Sequence, residues 1–253
     1  MKLRCLYKKV KPEKYKLKIS YDKKSKGRPA WVKIEGLPDG ISYISVLLDE
    51  KSEKKRQTYC IYIEKGLFLP IDYTKKEMEI FYNKFSEGYD KEIRKKNMRA
   101  IDFFVKRVKK HIKGGEMLDL GAGTGLVTGK FVKQGFSPAT LIDFSEGMLK
   151  KARKRKELKN CKFLKKDLRR FNLHKKFDFV LSFFSLGSNT YFSPTEISKT
   201  LVLAKKHLKK GGIIAIFGHD FNEKQKKVFK EIDSGVYTLE SGYHMNWFIG
   251  KKK

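Results

Sequence analysis

The segment Glu116-Met-Leu-Asp-Leu-Gly-Ala-Gly-Thr-Gly125 constrains this chain more than any other stretch. Its glycines alternate at Gly121, Gly123 and Gly125, and an acid, Asp119, stands two positions before the first. Apolar Met117, Leu118 and Leu120 surround that acid, and a helix-like segment begins at Leu126. The pattern predicts a strand, a tight turn and a helix. Glycine lets the turn adopt conformations closed to other residues and leaves no side chain between the backbone and a ligand. A dinucleotide turn would read G-x-G-x-x-G, with the pyrophosphate on the helix N-terminus. Here Leu126 stands where that pattern needs its third glycine, and an acid at Asp119 sits badly beside a pyrophosphate. It suits a cationic amino-acid end. Taken alone, the motif also fits a tight turn with no ligand, so the remaining chain has to decide.

Later segments repeat the strand-then-acid arrangement. Thr140-Leu-Ile-Asp143 is a short apolar run ending in a carboxylate. Asp143 lies about 20 residues beyond the first glycine, the offset of a ribose-binding acid in a βαβ unit. A carboxylate can accept from both ribose hydroxyls. Ser145 is placed to cap a helix through Met148, Leu149 and Ala152. Cys161 to Asp167 is a third short strand ending at an acid. Lys176 to Gly187 is a buried-type strand running into a loop, and Leu208 to Phe217 reads as a helix end, a glycine stop and a fifth strand. Gly235–Glu240 and His244–Gly250, joined across Ser241-Gly242, carry a hairpin signal.

These motifs, in this order, resemble the class I S-adenosylmethionine-dependent methyltransferases, whose first motif has the form [E/D]-x-G-x-G-x-G. The resemblance covers about Tyr73 to Lys253. It implies an α/β fold: a doubly wound, mostly parallel seven-stranded sheet with an antiparallel C-terminal hairpin. It also implies S-adenosylmethionine as cosubstrate, bound by Asp119, Gly121, Ala122, Gly123, Gly125, Asp143, Phe144, Met148, Asp167, Leu168 and Ser182. Within that set Asp143 would meet the ribose and Asp167 the adenine amino group. Thr74 to Lys113 reads as a helical lead-in broken at Gly88, with Thr74 and Glu77 fitting a capping box and Ile101, Phe104, Val105 and Val108 forming an apolar stripe. Related methyltransferases place a tyrosine of such a helix over the cofactor; Tyr82 and Tyr89 are candidates, and Tyr89 is taken as the cofactor contact.

The expected domains are a small, basic, β-rich piece at 1–73 and a methyltransferase domain at 74–253, with 74–113 as its lead-in. Tyr15–Tyr21 alternates apolar and polar residues as a half-buried strand does, and Ala30–Glu35, Ile41–Leu48 and Gln57–Glu64 read as three more. A lysine face on such a sheet can guide a polyanion or merely solvate a stabilising appendage.

The 253 residues carry 59 Lys and Arg against 28 Asp and Glu, a net charge of +31. That excess attracts phosphates and leaves nucleic acid open as a partner. Its spread along the whole chain, lysine far more than arginine, also fits a generally basic surface. Cys5, Cys60 and Cys161 show neither disulfide nor zinc spacing, so no metal is expected and a reducing, cytoplasmic setting is. No apolar run is long enough for a membrane span, and the N-terminus lacks the apolar core of a signal peptide.

In-line displacement at a sulfonium methyl chiefly needs the nucleophile held opposite the sulfur. His219, at the end of the fifth strand beside Asp220, is the candidate catalytic base, ahead of His244 and of His207, which is expected within a helix ending at Gly211. The fourth motif, Ser182-Phe-Phe-Ser, is not the [D/N/S]-P-P-[Y/F/W] of enzymes methylating exocyclic base amines, and no cysteine nucleophile lies between Phe177 and Asp220. The loop Phe183–Phe192 is apolar and aromatic, with Asn189 and Thr190 as its polar elements. The expected activity is methyl transfer to a small or medium-sized acceptor. The alternatives are a tRNA or rRNA methyltransferase guided by the basic N-terminal piece, and a non-enzymatic protein binding S-adenosylmethionine or RNA.

Overall fold

The computed structural model describes residues 2–5, 16–21, 29–35, 43–48, 57–64, 67–71, 79, 82–83, 85–186, 192, 194–219, 221, 223–239, 242 and 244–253. Its Cα packing separates two compact units, 1–74 with 188–193, and 75–187 with 194–253. In the first unit, β1 (Lys2–Cys5), β4 (Tyr43–Leu48), β5 (Gln57–Glu64) and β6 (Leu67–Ile71) form an antiparallel sheet in the order β1-β4-β5-β6. Strands β2 (Lys16–Tyr21) and β3 (Pro29–Glu35) pair separately, with Leu17 opposite Ile34 and Ile19 opposite Val32. The alternating segments become strands as expected. The sequence reading missed β1 and β6, which lack a long alternating run. The turns anticipated around 22–28, 36–40 and 50–56 lie outside the described residues, as do Thr74, Glu77, Asn189, Thr190 and Asp220.

The second unit is built on seven strands: β7 (Met117–Leu120), β8 (Ala139–Asp143), β9 (Lys162–Lys165), β10 (Phe177–Phe183), β11 (Leu208–Phe217), β12 (Lys230–Thr238) and β13 (His244–Lys251). Their order is β12-β13-β11-β10-β7-β8-β9. The first five run parallel, and β13 is antiparallel to both β11 and β12. This is the mostly parallel sheet with an antiparallel hairpin edge that the motif order implied. Every residue of β7 and β8 is buried, as in a parallel sheet covered on both faces. The direction of winding reverses between β7 and β10, and open α/β sheets bind ligands at the carboxyl ends of strands at such a point.

The described helices are α1 (Tyr89–Val108), α2 (Leu126–Val132), α3 (Glu146–Arg153), α4 (Pro194–Lys206) and α5 (Glu223–Lys226). Gly88 breaks the lead-in as anticipated and stands at the N-cap of α1. The stripe Ile101, Phe104, Val105 and Val108 is buried against the sheet's core, with the Phe104 ring 5.2 Å from Phe217. Ser145 caps α3 by accepting the Met148 N–H at 3.2 Å. Beyond the turn, Phe131, Phe136 and Phe179 pack together with centroid separations of 4.9–5.4 Å.

Three local expectations need correction. Between β9 and β10 the chain makes a turn at 168–170 instead of a short helix. Helix α4 ends at Lys206, so His207 lies in the turn that follows and not inside a helix ending at Gly211. Pairing with β10 captures Leu208 for the sheet, and the extra residues before Ile213 form a bulge containing Gly211 at φ +73°. Strand β12 starts at Lys230, earlier than its β-propensity suggests. Asp233 anchors it to Arg107 of α1 and to His111, both at 2.7 Å.

Phe179→Ala removes a fully buried ring from the centre of the phenylalanine cluster. Unfolding by denaturant should show a loss of about 3–5 kcal/mol. A loss below about 1 kcal/mol would contradict this account of the core.

Candidate active site

The glycine turn sits where β7 meets α2, and the chain pattern there accounts for its shape. Gly121, Gly123 and Gly125 all have positive φ, at +75°, +55° and +71°. A Cβ on Gly121 would lie 2.3 Å from the Ser185 Cβ, and one on Gly125 would lie 2.5 Å from a Leu158 methyl. These two glycines are therefore required by packing as well as by conformation. At Gly123 the nearest group is the Tyr89 ring at 3.7 Å, so that glycine faces the cleft and not the core. The Gly121 N–H donates to the Ile142 carbonyl at 2.8 Å and the Ala122 N–H to the same oxygen at 3.1 Å, which locks the turn onto β8.

Two carboxylates flank this turn from adjacent strands. Asp119 is 2% exposed and accepts from the Thr128 hydroxyl at 2.5 Å. Asp143 is 6% exposed and accepts the Gly123 N–H on one oxygen and the Ser145 N–H on the other, both at 2.8 Å. Burial pushes the Asp119 carboxyl up to about 7; the Thr128 bond opposes that rise and the Asp143 charge adds to it. Burial likewise pushes Asp143 up to about 6 against the N–H donors of Ser145, Gly123 and Phe144. Among the described residues neither acid has a Lys, Arg or His within ion-pair distance, in a chain with 59 Lys and Arg. Two desolvated carboxylates with no cation form a site made for a ligand that brings positive charge and hydroxyl donors.

The remaining predicted residues divide into those the fold gathers and those it does not. One cleft is lined by Asp119 from β7, Gly121, Ala122 and Thr124 from the turn, Tyr89 and Ile93 from α1, Leu126 and Val127 from α2, and Phe183 and Phe184 at the end of β10. With Tyr89 against Gly123 its open space is about 20 Å³, room for one water. A drug-sized ligand needs on the order of 300 Å³ or more, so its entry requires Tyr89 or the aromatic wall to move. Phe144 follows Asp143 and meets Tyr82 edge-on at 5.6 Å. Met148 and Leu168 are buried. Ser182 is fully buried, with its hydroxyl 2.7 Å from that of Ser185. Asp167 is already held by Arg169, whose Nε and Nη2 each reach a carboxylate oxygen at 3.0 Å. His219 is outside the cleft lining: it is 2% exposed, with Nε2 3.0 Å from the Gln225 side-chain oxygen.

Several supporting residues had no sequence signal. Arg155 donates to the Thr124 carbonyl at 2.6 Å and pairs with Asp90, which also takes the Thr124 hydroxyl. Asn83 accepts from the Ser145 hydroxyl and the Gly147 N–H, both at 2.8 Å. These contacts bind the lead-in segment to the two turns that carry Asp119 and Asp143. Phe184 holds a positive φ of +56°, rare for a bulky residue. Its N–H donates to Phe217 at 2.9 Å, and the absence of a Cβ on Gly218 makes room for its ring. Only Thr128 was discoverable in advance, as a hydroxyl in the first turn of the helix after the acid.

Residues 117–212 match the family model described as a methyltransferase domain. Over 144 residues the chain is 28% identical to the malonyl-[acyl-carrier protein] O-methyltransferase of Bacillus cereus, covering 55% of this chain and 52% of that protein. Over 101 residues it is 35% identical to the dTDP-3-amino-3,4,6-trideoxy-alpha-D-glucopyranose N,N-dimethyltransferase of Streptomyces venezuelae, covering 40% of each. The chain thus spans about half or less of the length of these curated relatives. The crystal structure of Burkholderia thailandensis 1,6-didemethyltoxoflavin-N1-methyltransferase, bound to 1,6-didemethyltoxoflavin and S-adenosylhomocysteine, superposes with a TM-score of 0.57 at 15% identity. It covers 81% of this chain and 98% of that one. The family-model match therefore covers the stretch from β7 into β11, which contains the glycine turn, Asp119 and Asp143.

The raised acids have a measurable consequence for the ligand-free protein. A carboxyl whose folded pKa lies above its unfolded value contributes stability below the unfolded value and loses it as pH rises through the folded one. For Asp119 that window runs from 3.8 to about 7. The stability of Asp119→Asn relative to the parent should therefore rise from about pH 4 to about pH 7 and level off beyond, by up to about 4 kcal/mol. Denaturant titrations of both proteins at several pH values check this; a difference independent of pH would contradict it.

Proposed function

We propose that this chain transfers a methyl group from S-adenosylmethionine to a small or medium-sized acceptor. The observation that carries the proposal is the pair of buried acids without a cation, Asp119 and Asp143, on either side of a glycine turn at the winding reversal of the sheet. Their demands match the two ends of such a ligand. A carboxylate at Asp119 favours the ammonium of a methionine moiety, and Asp143 keeps lone pairs for ribose hydroxyls after accepting its two N–H bonds. Gly123 leaves the backbone open to close approach, and Tyr89 covers it. Phe144 and Met148 follow Asp143 at the end of β8, and Asp167 and Leu168 follow β9, where the adenine end would lie; the Arg169 pair narrows what Asp167 has left to offer.

When bound, the sulfonium supplies an electrophilic methyl, so the protein's part is to exclude water and align the nucleophile. Phe183 and Phe184 give the cleft an aromatic wall for that purpose. The burial of His219 and its bond to Gln225 favour a supporting role for this histidine, with positioning as the main source of rate. The relatives act, by their names, on a carrier-bound malonyl group and on a nucleotide-linked amino sugar, and the structural neighbour on didemethyltoxoflavin; these acceptors favour a small one here. The proposal takes 74–253 as the catalytic domain, 74–113 as its lead-in and 1–73 as an appendage.

Calorimetry with S-adenosylmethionine, followed by detection of S-adenosylhomocysteine release with panels of small hydroxy and amino compounds, tests the reading. No binding at millimolar cosubstrate would overturn it. Turnover with tRNA or rRNA and none with small compounds would replace the acceptor class. Asp119→Asn should bind S-adenosylmethionine at least about tenfold more weakly, a loss of about 1.4 kcal/mol or more, while remaining folded at pH 8. Unchanged affinity in that variant would remove Asp119 from the site.

A further inference from the structure

A second concavity lies at the other end of the sheet. The loop 171–176 enters β10 at its amino end, and the carboxyl end of α4 lies beside it. Together they form a groove of about 560 Å³ whose lining includes Phe171, Asn172, Lys175, Lys176, Lys206 and the two histidines His174 and His207. That volume falls in the range that binds small organic ligands. The methyl-transfer cleft lies at the carboxyl end of the same strand, roughly 20 Å away along seven residues of β10.

The charges around this groove are one-sided. Glu116 and Asp178, which meet at the amino end of β10, are already taken: Glu116 by Lys175 at 2.8 Å, and Asp178 by Lys209 at 2.9 Å. Lys176, Lys205 and Lys206 have no carboxylate within ion-pair distance among the described residues. Lys252 joins them from the C-terminal segment, its Nζ 2.7 Å from the Leu208 carbonyl. Its ammonium is held below the usual lysine range by burial and by the charges of Lys176 and Lys205. The negative end of the α4 dipole offsets part of the charge of Lys205 and Lys206. His174, at φ +47°, is held in the left-handed region by its N–H bond to the Asn172 side chain at 3.3 Å. His207 is oriented as well: its Nε2 accepts the Leu173 N–H at 3.1 Å, and its Nδ1 lies 2.8 Å from the Leu203 carbonyl, which fixes the proton on Nδ1. A groove with its loop fixed, the neighbouring acids engaged, and Lys176 and Lys206 on its lining with no carboxylate in ion-pair distance among the described residues suits an anion with several charged oxygens.

We infer that the groove between the 171–176 loop and the end of α4 binds a phosphate-bearing ligand, separately from the methyl-transfer cleft. The phosphate belongs either to a small phosphoester or to a nucleic-acid backbone, and both sources offer the oxygens that Lys176 and Lys206 can bind.

The test uses the full chain, with inorganic pyrophosphate and a ten-nucleotide single-stranded RNA as probes in titration calorimetry at constant ionic strength. Lys176→Glu with Lys206→Glu is compared with Lys133→Glu and Lys150→Glu, two exposed lysines on other elements, which change the net charge equally. The groove pair should weaken pyrophosphate binding at least tenfold and the distant pair less than twofold, with S-adenosylmethionine affinity alike in both. RNA displaced by pyrophosphate with the same variant dependence assigns the phosphate to a nucleic-acid backbone; pyrophosphate binding that RNA does not compete with assigns it to a small phosphoester. Equal losses in the two pairs would overturn the inference in favour of a diffuse basic surface, as would a parent protein that fails to bind millimolar pyrophosphate. If the glutamate pair misfolds by circular dichroism, Lys176→Gln with Lys206→Gln carries the same comparison.

Discussion

Asp143 accepts the Gly123 N–H on one oxygen and the Ser145 N–H on the other, and so ties the turn after β7 to the start of α3. Most of the site's shape depends on this one buried carboxylate. The turn it holds is pinned from the opposite side by the Ile142 carbonyl and packed from below by Ser185 and Leu158, which leave no room for side chains at Gly121 and Gly125. Ser145, fixed by the same carboxylate, caps α3 and meets Asn83 of the lead-in. A single acid therefore sets the glycine backbone, the next helix and the segment that covers them in mutual register.

The arrangement costs stability in the ligand-free protein. Two carboxyls are buried close enough that the charge of Asp143 raises the affinity of Asp119 for its proton, and no lysine or arginine among the described residues answers them. Buried charges without partners are retained where a ligand supplies the missing half. At the opposite end of β10, Lys176 and Lys206 line a groove and have no carboxylate within ion-pair distance among the described residues.

The parts legible in the sequence were those written in short-range pattern. Alternation marked β2 to β5, and buried apolar runs bounded by glycine or acid marked β7, β8 and β10. The chemistry of Ser145 marked a helix cap, and the break at Gly88 placed the start of α1. Other features were decided by distant partners. Leu208 belongs to β11 because β10 pairs with it, and residues 230–234 belong to β12 because Arg107 and His111 hold Asp233. The acid at Asp167 was visible, but its capture by Arg169 depended on how the loop after β9 folds back. His219 stood at the right strand end by sequence; its burial beside Gln225 depended on residues that follow the strand.

From the sequence alone came the order of strands and acids and the requirement for glycine in the turn, and, through the family resemblance these carry, the expected fold class and cosubstrate. Each of these rests on local backbone geometry or on residues a few positions apart. Tertiary structure decided which acids remain uncompensated, which tyrosine lies over Gly123, how the aromatic wall closes the cleft, and which lysines line the groove. Those are properties of desolvation and of charge proximity, and both depend on which distant segments fill the space around a group once the sheet is wound.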